Sequence, residues 1–192
     1  LRRIINAHSL YCVPPECGFV QWLYDKYGHW KKELVSNREF VDSFLTDLEK
    51  CRKIETWNLD FTAIGHFIVK SYPSNYASLC DCIYKYYIAQ EKPGAIYWGD
   101  KNNYYIDHLS TIKSIFQKAK WLFIVRDGRD VACSYRELFL HKSKSEYYPR
   151  LNYDISDIAK EWVENNRNVL SFLSKQARDN TLLVRYEDLV TE

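Results

Sequence analysis

The sequence predicts an α/β domain in which helices flank a central parallel sheet, giving three layers. Three observations lead there. Short apolar runs of strand length alternate with helical patterns of roughly 10–20 residues, the arrangement that builds parallel β-α-β units. The run Trp121-Leu122-Phe123-Ile124-Val125 is hydrophobic at every position, as expected of a parallel strand buried on both faces. Polar clusters at Asp100-Lys101, Arg126-Asp127 and Arg185-Tyr186-Glu187-Asp188 each close a predicted strand, where open α/β sheets bind their ligands.

Leu1–Ala7 reads as the tail of a helix, with Ile4 and Ile5 on an apolar stripe and no capping residue before them. Pro14-Pro15 breaks it within the stretch from Tyr11 to Glu16. Phe40, Val41, Phe44, Leu45 and Leu48 recur at helical spacing from Arg38 to Cys51. Ser74 is the expected N-cap of a Tyr-rich helix reaching Gln90. Ala95–Trp98 is a short strand, and Ile106, Leu109, Ile112, Phe116 and Ala119 form the inner face of the next helix. After Trp121–Val125 come a turn at Asp127-Gly128, a helix from Arg129 to Leu140, and a polar, aromatic loop to Tyr153. Ser156 is the expected cap of a long amphipathic helix bearing Ile158, Trp162, Val163, Val169, Leu170 and Leu173. Thr181–Tyr186 is the last strand.

Composition bounds the function. At 192 residues the chain is expected to form one domain, 1–192. With 46% hydrophobic and 27% charged residues it is not a disordered segment. Lys plus Arg number 27 and Asp plus Glu 25, so a net charge of +2 argues against a broad polyanion-binding surface and a nucleic-acid partner. No stretch of about 18 consecutive apolar residues could span a bilayer, so no membrane contact is expected within the segment. The six cysteines show no C-x-x-C pair and read as reduced thiols. The chain has no Met and opens at Leu1, so a fragment of a longer protein is the expectation. Without N-x-[ST] acceptors, a cytoplasmic location is expected; an upstream anchor would leave the Golgi lumen open.

Arg126 closes a strand, and Ser134 lies in the first turns of the helix after it. A strand-end guanidinium, a hydroxyl and a helix N-terminus together suit a dianionic phosphate. An ordinary strand-turn-helix with Arg126 in a surface salt bridge fits the same residues. Asp127 and Asp130 read as partners that brace arginines or cap the helix.

The stretch VRDGRDVACSY closely resembles the 3′-phosphate-binding motif of sulfotransferases that use 3′-phosphoadenosine 5′-phosphosulfate. Arg126, and Ser134 eight residues later, match that motif position by position. GDKNNYY and LLVRYEDLV resemble two further family segments, in the family's order. LRRIINAHSLYCVPPE resembles the segment immediately after the family's 5′-phosphosulfate loop, as in the tyrosylprotein and bacterial enzymes. That loop itself, Gly-x-x-Arg-Ser-Gly-Thr-Thr, would precede Leu1.

The resemblance implies a P-loop-like, here incomplete, fold. It also implies in-line transfer of a sulfonyl group from 3′-phosphoadenosine 5′-phosphosulfate to an acceptor hydroxyl, without a metal. The resemblance further implies a domain truncated at both ends, since family members continue beyond Glu192, and the fragment alone is expected to be inactive. Lys101 would donate to the leaving phosphate oxygen, and Glu16 would be the general base. Arg126, Ser134 and Tyr186 would contact the nucleotide. Lys101 also reads as a solvated loop lysine and Glu16 as a capping or surface carboxylate. His8 and His108 are fallback bases, His8 matching the family's Ala-His turn. The loop from Lys142 to Tyr153 reads as an acceptor lid or as an ordinary surface loop. The acceptor could be a peptide tyrosine, a carbohydrate, a lipid or a small alcohol. A P-loop nucleotide kinase and a non-catalytic nucleotide-binding homologue are the alternatives.

Overall fold

Helix α1 (Arg2–Ala7) ends at His8 and leads into strand β1 (Tyr11–Cys12). The turn between them is closed by side chains. Asn6 donates to the Val13 carbonyl at 2.9 Å and accepts from its N–H at 2.7 Å. The Lys92 ammonium donates to the carbonyls of Asn6, His8 and Tyr11. Two single-turn helices come next, α2 (Phe19–Trp22) and α3 (Tyr24–Tyr27), then α4 (Arg38–Glu49) and α5 (Phe61–Ser71). Helix α6 (Tyr76–Glu91) leads to strand β2 (Tyr97–Trp98), a 3-10 turn at Asn103–His108 and helix α7 (Leu109–Ile115). Strand β3 (Trp121–Val125), α8 (Gly128–Leu140), α9 (Ile155–Leu173), β4 (Thr181–Arg185) and α10 (Tyr186–Thr191) complete the chain.

This computed structural model describes residues 1–141 and 146–191, and their packing divides at Gln117–Lys118 into two compact units. The α/β class with parallel pairing is what the structure shows. Within the first unit β1 pairs with β2, Tyr11 opposite Tyr97 and Cys12 opposite Trp98. Within the second, β3 pairs with β4 from Trp121 opposite Thr181 to Val125 opposite Arg185.

The first unit's core is aromatic. Trp57 lies within 6 Å of Phe19, Tyr84 and Tyr87, and Trp98 stacks on Tyr84 at 3.9 Å. Helix α6 is buried nearly all round, with Leu79, Cys80, Ile83 and Tyr84 fully enclosed. Cys82 is buried too, and all six thiols are unbridged. In the second unit α9 lays Phe172 against Trp121 of β3, ring centroids 4.6 Å apart, and buries Ile158 near its other end.

Several expectations need correction. The cap of α6 is Asn75, not Ser74: Asn75 accepts from the Ser78 N–H, and the Ser78 hydroxyl accepts from the Asn75 N–H, a reciprocal capping box. Asp154 rather than Ser156 caps α9, because its Oδ1 takes the N–H of Ser156 and Asp157 together with the Ser156 hydroxyl. The helix expected across Ile106–Ala119 begins only at Leu109 and ends at Ile115. Asn102 accepts from the Tyr104 N–H at the start of a 3-10 turn that fills Asn103–His108, while Phe116, at φ −111° and ψ 73°, leaves the helical conformation and ends the helix. Helix α5 has no counterpart among the expected elements. Strand β3 is not buried on both faces: among the described residues it pairs only with β4, and Leu122 stays 39% exposed.

Residues 146–153 form turn and coil, as expected; residues 142–145 of that loop lie outside the described residues. No helix among the described residues is long and apolar enough to cross a membrane.

Candidate active site

Parallel pairing decides which residues meet. Glu16 lies four residues beyond β1 and Lys101 three beyond β2, so both emerge from the carboxyl ends of neighbouring strands. The structure joins them: the Lys101 ammonium donates to Glu16 Oε1. The Glu16 backbone is fixed by Pro14-Pro15 and by Trp57, whose Nε1 donates to the Pro15 carbonyl at 2.9 Å. A second cation, unforeseen from sequence, reaches the same carboxylate: Lys53 Nζ lies 3.2 Å from Glu16 Oε2. Burial raises the Glu16 pKa, but hydrogen bonds and charge from Lys101 and then Lys53 outweigh it and hold the carboxyl below its ordinary range.

Asp100 lies beneath Lys101. The residue is half-buried as a whole, but its Oδ1 is sealed from solvent with no partner among the described residues. Its Oδ2 accepts from the Tyr84 hydroxyl at 2.6 Å and from the Tyr105 hydroxyl. Burial pushes this carboxyl up to about 6, against the lowering effect of the two phenols and Lys101. In the sequence Asp100 stands out only as Lys101's neighbour; its burial depends on Tyr84, which helix α6 supplies.

The second unit repeats the strand-end geometry. Val125 faces Arg185 in register, so Arg126 and Tyr186, one residue beyond each strand, come together. The Arg126 guanidinium lies over the Tyr186 ring, 4.8 Å from its centroid. Its Nε is buried and has no hydrogen-bond partner among the described residues. The Arg126 backbone is fixed by Trp162, whose Nε1 donates to its carbonyl at 3.0 Å. Asp127 caps α8 by accepting from the Arg129 N–H and also pairs with the Arg129 side chain. Those bonds to Arg129 hold the Asp127 carboxyl at about 2. Glu187 accepts from the Asp127 N–H at 2.8 Å, tying the turn after β3 to the turn after β4.

Ser134 sits half-buried in the second turn of α8, and no hydrogen bond or ring contact links it to Arg126 among the described residues. His8 uses Nδ1 to accept from the Leu10 N–H, a turn-closing role. His108 is exposed and precedes α7. Among the described residues no group of three or more His, Cys, Asp or Glu is placed to hold a metal ion.

The sequence profile of the sulfotransferase family matches residues 1–192. The chain belongs to the sulfotransferase family. A solved structure described as a sulfotransferase domain from the curacin biosynthetic pathway has the same fold, at 18% identity and a TM-score of 0.55. The alignment covers 100% of this chain and 64% of that one, so this chain spans less than two thirds of that domain. No curated protein matches the chain. The strand ends thus bring together a carboxylate with a cation at Glu16–Lys101 and a guanidinium with an aromatic ring at Arg126–Tyr186.

Proposed function

We propose that this chain supplies catalytic and donor-binding residues for sulfonyl transfer from 3′-phosphoadenosine 5′-phosphosulfate to an acceptor hydroxyl. The observation that carries the reading is the contact between Lys101 and Glu16, a cation and a carboxylate delivered side by side by paired strands. The donor supplies an activated sulfonyl group whose S–O bond to phosphate breaks as sulfur bonds the acceptor oxygen.

Lys101 holds the negative charge that develops on the leaving phosphate oxygen, as a preorganised cation does. Glu16 takes the proton of the acceptor hydroxyl. In the resting pair Glu16 is a weak base, because both its oxygens face ammonium groups. Once Lys101 turns to the leaving oxygen, burial is less opposed and the basicity of Glu16 rises.

Arg126 binds the donor's 3′-phosphate. A buried guanidinium Nε without a partner costs on the order of 1–3 kcal/mol, which an anion offering acceptor oxygens would recover. Tyr186 supports the guanidinium from its ring face, and Ser134 adds a hydroxyl from α8. The family assignment favours this reading over a nucleotide kinase. The acceptor is a hydroxyl compound, with tyrosyl peptides, carbohydrates, lipids and small alcohols all in range. Five buried, unbridged thiols favour a reducing compartment, the cytoplasm.

The test is transfer of labelled sulfonate by the full-length protein to representatives of these four acceptor classes. Glu16→Gln should lower turnover at least 100-fold, within the ~10²–10⁴ that a general base contributes, while donor binding stays nearly unchanged. Retained turnover in Glu16→Gln would remove the base assignment.

A further inference from the structure

We propose that Lys53 is a positioning residue of the active site, holding Glu16 ionised and correctly oriented when Lys101 leaves it for the departing phosphate oxygen. The proposal rests on the reading of Glu16 as general base.

Three observations support it. The two lysines divide the carboxylate: Lys101 takes Oε1 and Lys53 takes Oε2, so release of the first leaves the second in place. Both side chains of the Lys53–Glu16 pair are largely shielded, 20% and 28% exposed, which makes the contact stronger than a surface ion pair. Lys53 also adopts φ 71° and ψ 0°, a left-handed conformation that a side chain other than Gly or Asn rarely takes.

That conformation starts the 3-10 turn Ile54–Trp57, with the Lys53 carbonyl accepting from the Thr56 N–H and hydroxyl. The same turn carries Trp57, whose indole holds the Pro15 carbonyl. One short segment thus grips Glu16 twice, by the backbone just before it and by its carboxylate. Glycine would suit the left-handed geometry better, so a lysine here runs against local backbone preference while its ammonium reaches Glu16.

The groups facing Glu16 are Lys101 beyond β2, Lys53 before the 3-10 turn, and the Asp100 carboxyl, whose own shift includes a repulsive contribution from Glu16. Removing Lys53 therefore leaves the carboxyl with burial, Asp100 and one cation. Its protonation should move to higher pH.

The experiment is a ¹³C NMR titration of glutamate side-chain carboxyls in the full-length protein, with Glu16→Gln identifying the signal. Lys53→Gly removes the ammonium while relieving the backbone, so folding is preserved or improved; Lys53→Arg restores a cation. The expected result is a Glu16 titration displaced upward in Lys53→Gly and returned toward the original in Lys53→Arg. The acid limb of the kcat–pH profile should move with it. At neutral pH kcat should fall roughly 10- to 100-fold, the scale of a misplaced catalytic group, with donor KM unchanged. A Glu16 titration unmoved in Lys53→Gly, or equal loss in Lys53→Gly and Lys53→Arg, would overturn the proposal. Full turnover in Glu16→Gln would instead overturn the base reading, while the titration would still decide whether Lys53 governs the Glu16 carboxyl.

Discussion

Replacing Asp100 with Asn removes a carboxyl whose burial should be visible in the stability of the folded chain. Burial raises its pKa from the ordinary 3.8 to about 6. A carboxyl that ionises less readily when folded binds its proton more tightly in the folded state. Its contribution is fully present below pH about 4 and is lost as pH rises through about 6. The shift is about two pH units, and each unit is worth about 1.4 kcal/mol, so the loss is about 3 kcal/mol. The Tyr84 and Tyr105 hydroxyls do not blur this window, because burial pushes both phenols well above 10 and they remain donors throughout.

Urea unfolding of Asp100→Asn and the parent at intervals from pH 4 to 7 isolates the effect. Every other titrating group is common to the two proteins. The stability of the variant relative to the parent should climb by about 3 kcal/mol across that range. A difference that stays level within about 0.5 kcal/mol would show that Asp100 keeps an ordinary carboxyl and that its buried placement beneath Lys101 is wrong.

The geometry leads to three further expected outcomes. Lys92→Met leaves the carbonyls of Asn6, His8 and Tyr11 without their shared ammonium, and should cost about 1–3 kcal/mol in thermal or urea unfolding. Trp162→Phe loses the 3.0 Å bond to the Arg126 carbonyl; about 1 kcal/mol of stability should go, together with severalfold affinity for adenosine 3′,5′-bisphosphate by calorimetry. Lys101→Ala should lower kcat on the order of 100-fold while changing donor affinity much less, as steady-state kinetics and binding together would show.

The strand-end rule made much of the site legible. The runs ending at Trp98 and Val125 are strands as expected, the last strand stops at Arg185 rather than at Tyr186, and Lys101, Arg126 and Tyr186 lie just past the three ends. Parallel register then accounts for the meeting of Arg126 with Tyr186, and of Lys101 with Glu16 from 85 residues away. Helix α5 was hidden because its own sequence disfavours a helix: Thr62, Ile64, Ile68 and Val69 are β-branched, and Gly65 sits mid-helix. Tertiary packing overrides this, with Gly65 so close to Leu45 that an added Cβ would stand 3.1 Å from its Cδ1. Lys53 gave no signal, since a left-handed lysine has no sequence signature and its partner lies 37 residues away. Asp100 reads from the sequence only as part of a strand-end polar cluster, and its bonds to Tyr84 and Tyr105 depend on tertiary packing.

The most direct test of the central claim is calorimetric binding of adenosine 3′,5′-bisphosphate to the full-length protein, with AMP and ATP alongside and Arg126→Ala as control. The account predicts tight binding that requires the 3′-phosphate and weakens at least about 10-fold in Arg126→Ala, the loss of a charge-assisted contact. ATP binding equally well, or Arg126→Ala binding as tightly as the parent, would contradict it.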